Sequence, residues 1–85
     1  MADLNDEWYS AGDALYELGR FEDALAAFRT AFRADRSDHM ALMAMANAAS
    51  EMGQPRRSAR YLKMALQLEP DGAALWFNLG NAYFD

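Results

Sequence analysis

Apolar and small residues recur along this chain at helical spacing, in five blocks separated by short joints. The first block predicts a helix from about Asn5 to Leu18, with Trp8, Ala11, Gly12, Ala14, Leu15 and Leu18 on its small-and-apolar face. Gly19 follows, where a left-handed residue would end the helix. The second helix begins near Phe21 and sets Ala24, Leu25, Phe28, Ala31 and Phe32 along an inner stripe. Glu22 and Asp23 in its first turn, and Arg29, Arg33 and Arg36 towards its other end, complement the helix dipole.

Ser37 or Asp38 can cap the third helix, which carries Leu42, Met45, Ala46, Ala48, Ala49 and Met52 and stops at Gly53. Pro55 suits the first position of the fourth, where its missing N–H costs nothing. Ala59, Leu62, Ala65, Leu66 and Leu68 form its inner face, and Pro70 terminates it. Asp71 can cap a fifth helix running to the end of the chain. No strand pattern interrupts the series.

The blocks repeat one another. Trp8, Leu42 and Trp76 are in register, as are Gly12, Ala46 and Gly80, then Ala14, Ala48 and Ala82, and also Gly19 with Gly53. The period is about 34 residues. Trp76, Leu79, Gly80 and Tyr83 spell Trp-x2-Leu-Gly-x2-Tyr, and Ala24, Phe28 and Ala31 spell Ala-x3-Phe-x2-Ala. On these residues the chain resembles the tetratricopeptide repeat over nearly its whole length. The resemblance implies an all-α fold of antiparallel helical hairpins stacked as a right-handed solenoid, five helices in one domain over 1–85. Its first repeat would span about 5–38, its second about 39–72, and the first helix of a third about 73–85. Gly12, Ala46 and Gly80 would let helices approach closely, while Trp8, Leu42 and Trp76 would fill the gap between adjacent pairs. Departures from the motif are local: Arg36 replaces a proline, and Ser58 stands where alanine is usual.

The third unit has a first helix and no second. Its Leu75, Trp76, Leu79, Ala82 and Phe84 would then lack a covering helix, so either the chain is a fragment of a longer array or another subunit covers that face. The expectation is a homo-oligomer formed through these residues.

The resemblance also implies that the first helix of each pair lines a concave surface. The expected partner-binding residues are Tyr9, Asp13, Tyr16 and Glu17 from the first unit, Met40, Met43 and Asn47 from the second, and Phe77, Asn78 and Asn81 from the third. Asp6, Glu51 and Phe84 are expected on the same side. Tyrosine and methionine suit binding surfaces. Some family members grip a carboxylate terminus with Lys, Asn and Arg on these helices. Here the corresponding positions hold Tyr9, Asp13, Ala44, Ala74 and Asn78, and no first helix carries Lys or Arg. The acidic lining favours a basic or amphipathic segment instead.

Composition narrows the function classes. The net charge of −5 argues against nucleic acid and anionic membrane, and no apolar run approaches the roughly 20 residues that span a bilayer. Arg56, Arg57, Arg60 and Lys63 form a basic face on the fourth helix, read as solvated. The absence of Cys rules out disulfides and thiolate metal sites. His39, the single imidazole, has only Asp35 and Asp38 near it, too few for a metal site. Ser10, Ser37, Ser50 and Ser58 have no base at motif spacing, and no glycine-rich phosphate loop exists. The reading is a soluble, cytoplasmic protein–protein interaction module without catalysis or cofactor. The alternative is a regulatory or targeting piece of a larger enzyme, such as a glycosyltransferase with a repeat arm.

Overall fold

The computed structural model describes residues 3–70. They form four helices: α1 (Leu4–Glu17), α2 (Phe21–Ala34), α3 (His39–Glu51) and α4 (Pro55–Leu68). Five helices were expected; the fifth, over 73–85, lies outside the described residues. Each helix packs on the next in sequence, giving two helical hairpins joined through α2 and α3.

The joints explain the boundaries. Asp3 caps α1 by accepting from the Asp6 amide at 3.0 Å. After α1, Gly19 takes φ 77° and donates to the Tyr16 carbonyl, while Arg20 donates to Leu15. After α3, Gly53 takes φ 72° and donates to Ser50, while Gln54 donates to Ala49. These are the same left-handed glycine cap, one repeat apart; only glycine adopts it without steric cost. Between α2 and α3 the chain turns on Asp35, whose carboxylate accepts from the amide and hydroxyl of Ser37. Of the two candidate caps for α3, Asp38 is the one used, accepting from the Ala41 amide at 3.1 Å. Its other oxygen accepts from the Asn5 amide group at 2.9 Å, and the same Asn5 nitrogen donates to the Ala31 carbonyl at 3.0 Å. One side chain of α1 thus ties together the end of α2 and the start of α3.

The core runs through both hairpins. Ala24 and Phe28 of α2, Leu42, Met45 and Ala46 of α3, and Ala59, Leu62, Ala65 and Leu66 of α4 form one buried cluster. Phe28 and Leu42 are the largest fully enclosed side chains, each worth about 1.5–3 kcal/mol of burial. Leu25, Ala48 and Ala49 form a second cluster, with Tyr16, Met52 and Tyr61 packed against it.

The inner face of α1 agrees with the one expected at Ala11, Gly12 and Leu15 and departs from it at Trp8, Ala14 and Leu18. Gly12 is its buried residue, pressed on the Phe28 ring, and Asn5, Tyr9, Leu15 and Tyr16 are half-buried around it. Ala14 and Leu18 are exposed. At about 100° per residue they lie roughly 200° and 240° around the helix from Gly12, turned away from α2. Trp8 does not fill a gap between described helices: it is 42% exposed. Leu68, expected inside α4, is also 42% exposed at the last helical turn.

Candidate functional site

Seven of the nine groove-side residues expected in the described part line one concavity of about 270 Å³; Asp6 lines an adjoining hollow and Glu51 lines neither. Tyr9, Asp13, Tyr16 and Glu17 come from successive turns of α1. Met40, Met43 and Asn47 come from the facing turns of α3. Phe77, Asn78 and Asn81 lie outside the described residues, as do Leu75, Trp76, Leu79, Ala82 and Phe84.

Sequence reasoning missed two lining residues, Phe28 and Ala44. Phe28 belongs to the core stripe of α2, and its ring packs between Gly12 and Tyr9 of α1. The tyrosines also do more than line a surface. Tyr9 packs on Phe28 with ring centroids 5.4 Å apart, and Tyr16 meets the edge of Phe21 at 5.1 Å. Each therefore lines the groove and also packs on an aromatic ring of α2. A second hollow of about 450 Å³ adjoins the first, sharing Tyr9 and Met40 and adding Asn5, Asp6, Ser10 and Asp38.

The electrostatics of this side are one-signed. Burial raises the Tyr9 pKa above its ordinary value, with Asp13 and then Asp38 adding to the rise. Tyr16 is raised by burial, then by the charge and hydrogen bonding of Glu51, then by Glu17. Neither α1 nor α3 contains Lys or Arg. Arg20 pairs with Asp23 at the start of α2, away from this side.

A different chemistry gathers on α4. Arg57 donates from Nε to the Tyr61 hydroxyl at 2.9 Å and from Nη1 to Gln54 at 3.2 Å. Arg29 of α2 reaches the same hydroxyl at 3.4 Å. Burial would raise the Tyr61 pKa, but the hydrogen bonds and charges of Arg29 and Arg57 together lower it. The open hollow here, about 480 Å³, is walled by Gln54, Pro55, Arg56, Arg57 and Arg60, all at the start of α4. A depression bounded by one helix encloses no ligand. His39 sits in the first turn of α3. No group of three or more His, Cys, Asp or Glu among the described residues could hold a metal ion. No helix among them is long and apolar enough to cross a membrane.

Two family models, both described as tetratricopeptide repeat, match the chain, one over residues 6–38 and the other over residues 43–85. Comparison with curated proteins finds no match.

Proposed function

The chain belongs to the tetratricopeptide repeat family, whose repeats are protein–protein interaction modules, and on that premise we propose that its concave side binds a basic or amphipathic peptide segment. The observation that carries this reading is the concavity between α1 and α3, where Tyr9, Tyr16, Met40, Met43 and Phe28 share the lining with Asp13 and Glu17 and neither helix carries Lys or Arg. Apolar contact with the floor supplies affinity, and the acidic rim selects against acidic segments. The third unit would extend the same lining with Phe77, Asn78 and Asn81.

The test is a binding assay with a basic amphipathic peptide. Met43→Ala and Tyr9→Ala should weaken binding, and Arg57→Ala should leave it unchanged. Binding that responds to Arg57→Ala and ignores Met43→Ala would place the site on α4 and sink the groove.

A second reading, association between copies, has its own observation. Leu4, Trp8 and Leu18 are exposed at 63%, 42% and 73% along one flank of α1. One repeat later, Leu42 and Met52, the counterparts of Trp8 and Leu18, are buried and half-buried. An apolar position that is covered in one repeat and bare in the other fits a contact between molecules. Light scattering over a concentration series tests it. A dimeric mass lost on Trp8→Lys supports the reading, and a monomeric mass at high micromolar concentration rejects it.

A further inference from the structure

We propose that the seam between α2 and α4 binds a dianionic phosphate monoester, with Arg29, Arg57 and Tyr61 as its donors. The site is independent of the groove, since none of the three side chains lines the concavity between α1 and α3.

Two cations share one neutral acceptor here. Arg57 donates from Nε to the Tyr61 hydroxyl at 2.9 Å, and Arg29 donates from Nη2 to the same oxygen at 3.4 Å. The two donor nitrogens are therefore at most about 6 Å apart, where like charges repel. Both arginines are half-buried, whereas Arg56, Arg60 and Lys63 are exposed. Water and salt screen a half-buried charge less well, so it calls for a counterion. Neither guanidinium meets a carboxylate among the described residues. An anion between them would turn the repulsion into two attractions.

The donors are held in place by the fold. The Tyr61 ring packs against Leu25, Ala48 and Ala49, which limits where its hydroxyl can move. Arg57 is held a second time, by a bond from Nη1 to Gln54 at 3.2 Å. Arg29 belongs to one hairpin and Tyr61 to the other, so the site exists only when the hairpins are stacked. The hollow at the start of α4 has one wall; this seam has two.

Charge and donor geometry select the ligand. Most N–H groups of both guanidiniums remain for a ligand, and their planar forks match phosphate oxygens. A phosphate monoester carries about −1.5 to −2 charge near pH 7 and offers three strong acceptor oxygens. Two guanidiniums balance that charge, and the three side chains can each meet an oxygen. A carboxylate brings half the charge. Phosphorylated side chains and free inorganic phosphate share this chemistry.

Three probes titrated into the ¹⁵N-labelled chain at constant ionic strength test the site: inorganic phosphate, capped Ala-phosphoserine-Ala and capped Ala-Glu-Ala. The side-chain Nε–H signals of Arg29 and Arg57 should shift saturably with both phosphates. The glutamate peptide should bind about tenfold more weakly. Arg29→Gln and Arg57→Gln should each weaken the phosphopeptide about tenfold, the size of one charge-assisted hydrogen bond. Arg29→Lys keeps the charge and the stem but loses the fork, and should still weaken it. Arg60→Gln, exposed on the same helix, should change it about twofold at most. Tighter binding of the phosphopeptide than of inorganic phosphate assigns the ligand to a phosphorylated side chain, and the reverse assigns it to free phosphate; both support the site. Equal binding of the glutamate peptide, equal losses at Arg29→Gln and Arg60→Gln, or no saturable shift would overturn it.

Discussion

Gly12 lies so close to Phe28 that a β-carbon at position 12 would stand 2.5 Å from two atoms of the ring. Phe28 is 1% exposed, so the ring has nowhere to retreat. Alanine is the better helix former by about 1 kcal/mol. Overpacking a filled core costs about 1–3 kcal/mol. The clash should win, and Gly12→Ala should lower the urea midpoint despite its helix propensity. The loss should shrink in a Phe28→Leu background, which a double-mutant cycle measures. An unchanged midpoint would mean that the two helices can separate without penalty.

Asp38 holds two structures at once, the cap of α3 and the link to Asn5. Removing a helix cap costs about 0.5–2 kcal/mol. An ordinary hydrogen bond adds about 0.5–1.5 kcal/mol. Asp38→Ala should therefore cost more than Asn5→Ala in chemical denaturation, and the two losses should not add. Strict additivity would show that the link contributes nothing.

The tyrosines should titrate in an order set by their neighbours. Tyr61 is lowered from 10.0 while Tyr9 and Tyr16 are raised from it, so Tyr61 should lose its proton first among the three. The signs for stability differ accordingly. Tyr9 and Tyr16 contribute stability that is full below pH 10.0 and lost as pH rises through their folded values. Tyr61 contributes stability that is present above pH 10.0 and lost as pH falls through its folded value. Phenolate absorbance of single Tyr→Phe variants resolves the order. Arg57→Ala should move Tyr61 upward and leave Tyr16 where it was.

Leu18 and Leu42 both stand on predicted apolar helix faces and should respond differently. Leu18 is 73% exposed and Leu42 is 1% exposed. Leu42→Ala should cost about 2–5 kcal/mol. Leu18→Ala should stay within about 0.5 kcal/mol of the parent. Thermal unfolding of the two variants measures both. A large loss at Leu18 would show that its flank is covered in solution.

The elements were legible because their punctuation is local. Gly19, Gly53 and Pro55 act through backbone conformation, which neighbours do not alter. The groove lining on α1 and α3 was legible through the repeat register, which fixes which side of each helix faces which. The α1 face was drawn too wide because Ala14 and Leu18 are apolar without being inward, and alanine carries little information about burial. Phe28 is at once a core residue and a lining residue of the groove, and no periodicity within α2 reports the second role. Tyr9 and Tyr16 were assigned to one surface because sequence spacing allots a residue to a single face, whereas a large ring touches two.

The division of charge between α1 and α4 reaches beyond the surface it covers. Arg56, Arg57, Arg60 and Lys63 share the last described helix, while Asp6, Glu7, Asp13 and Glu17 share the first. Separated charge of this kind makes the molecule an electric dipole. A basic chain diffusing nearby is turned towards the α1 side before any atom touches, and an acidic one is turned away from it. The effect acts on how often collisions are productive, not on how long a complex lasts. It fades once ions shorten the field to about 10 Å, as at 0.1 M salt.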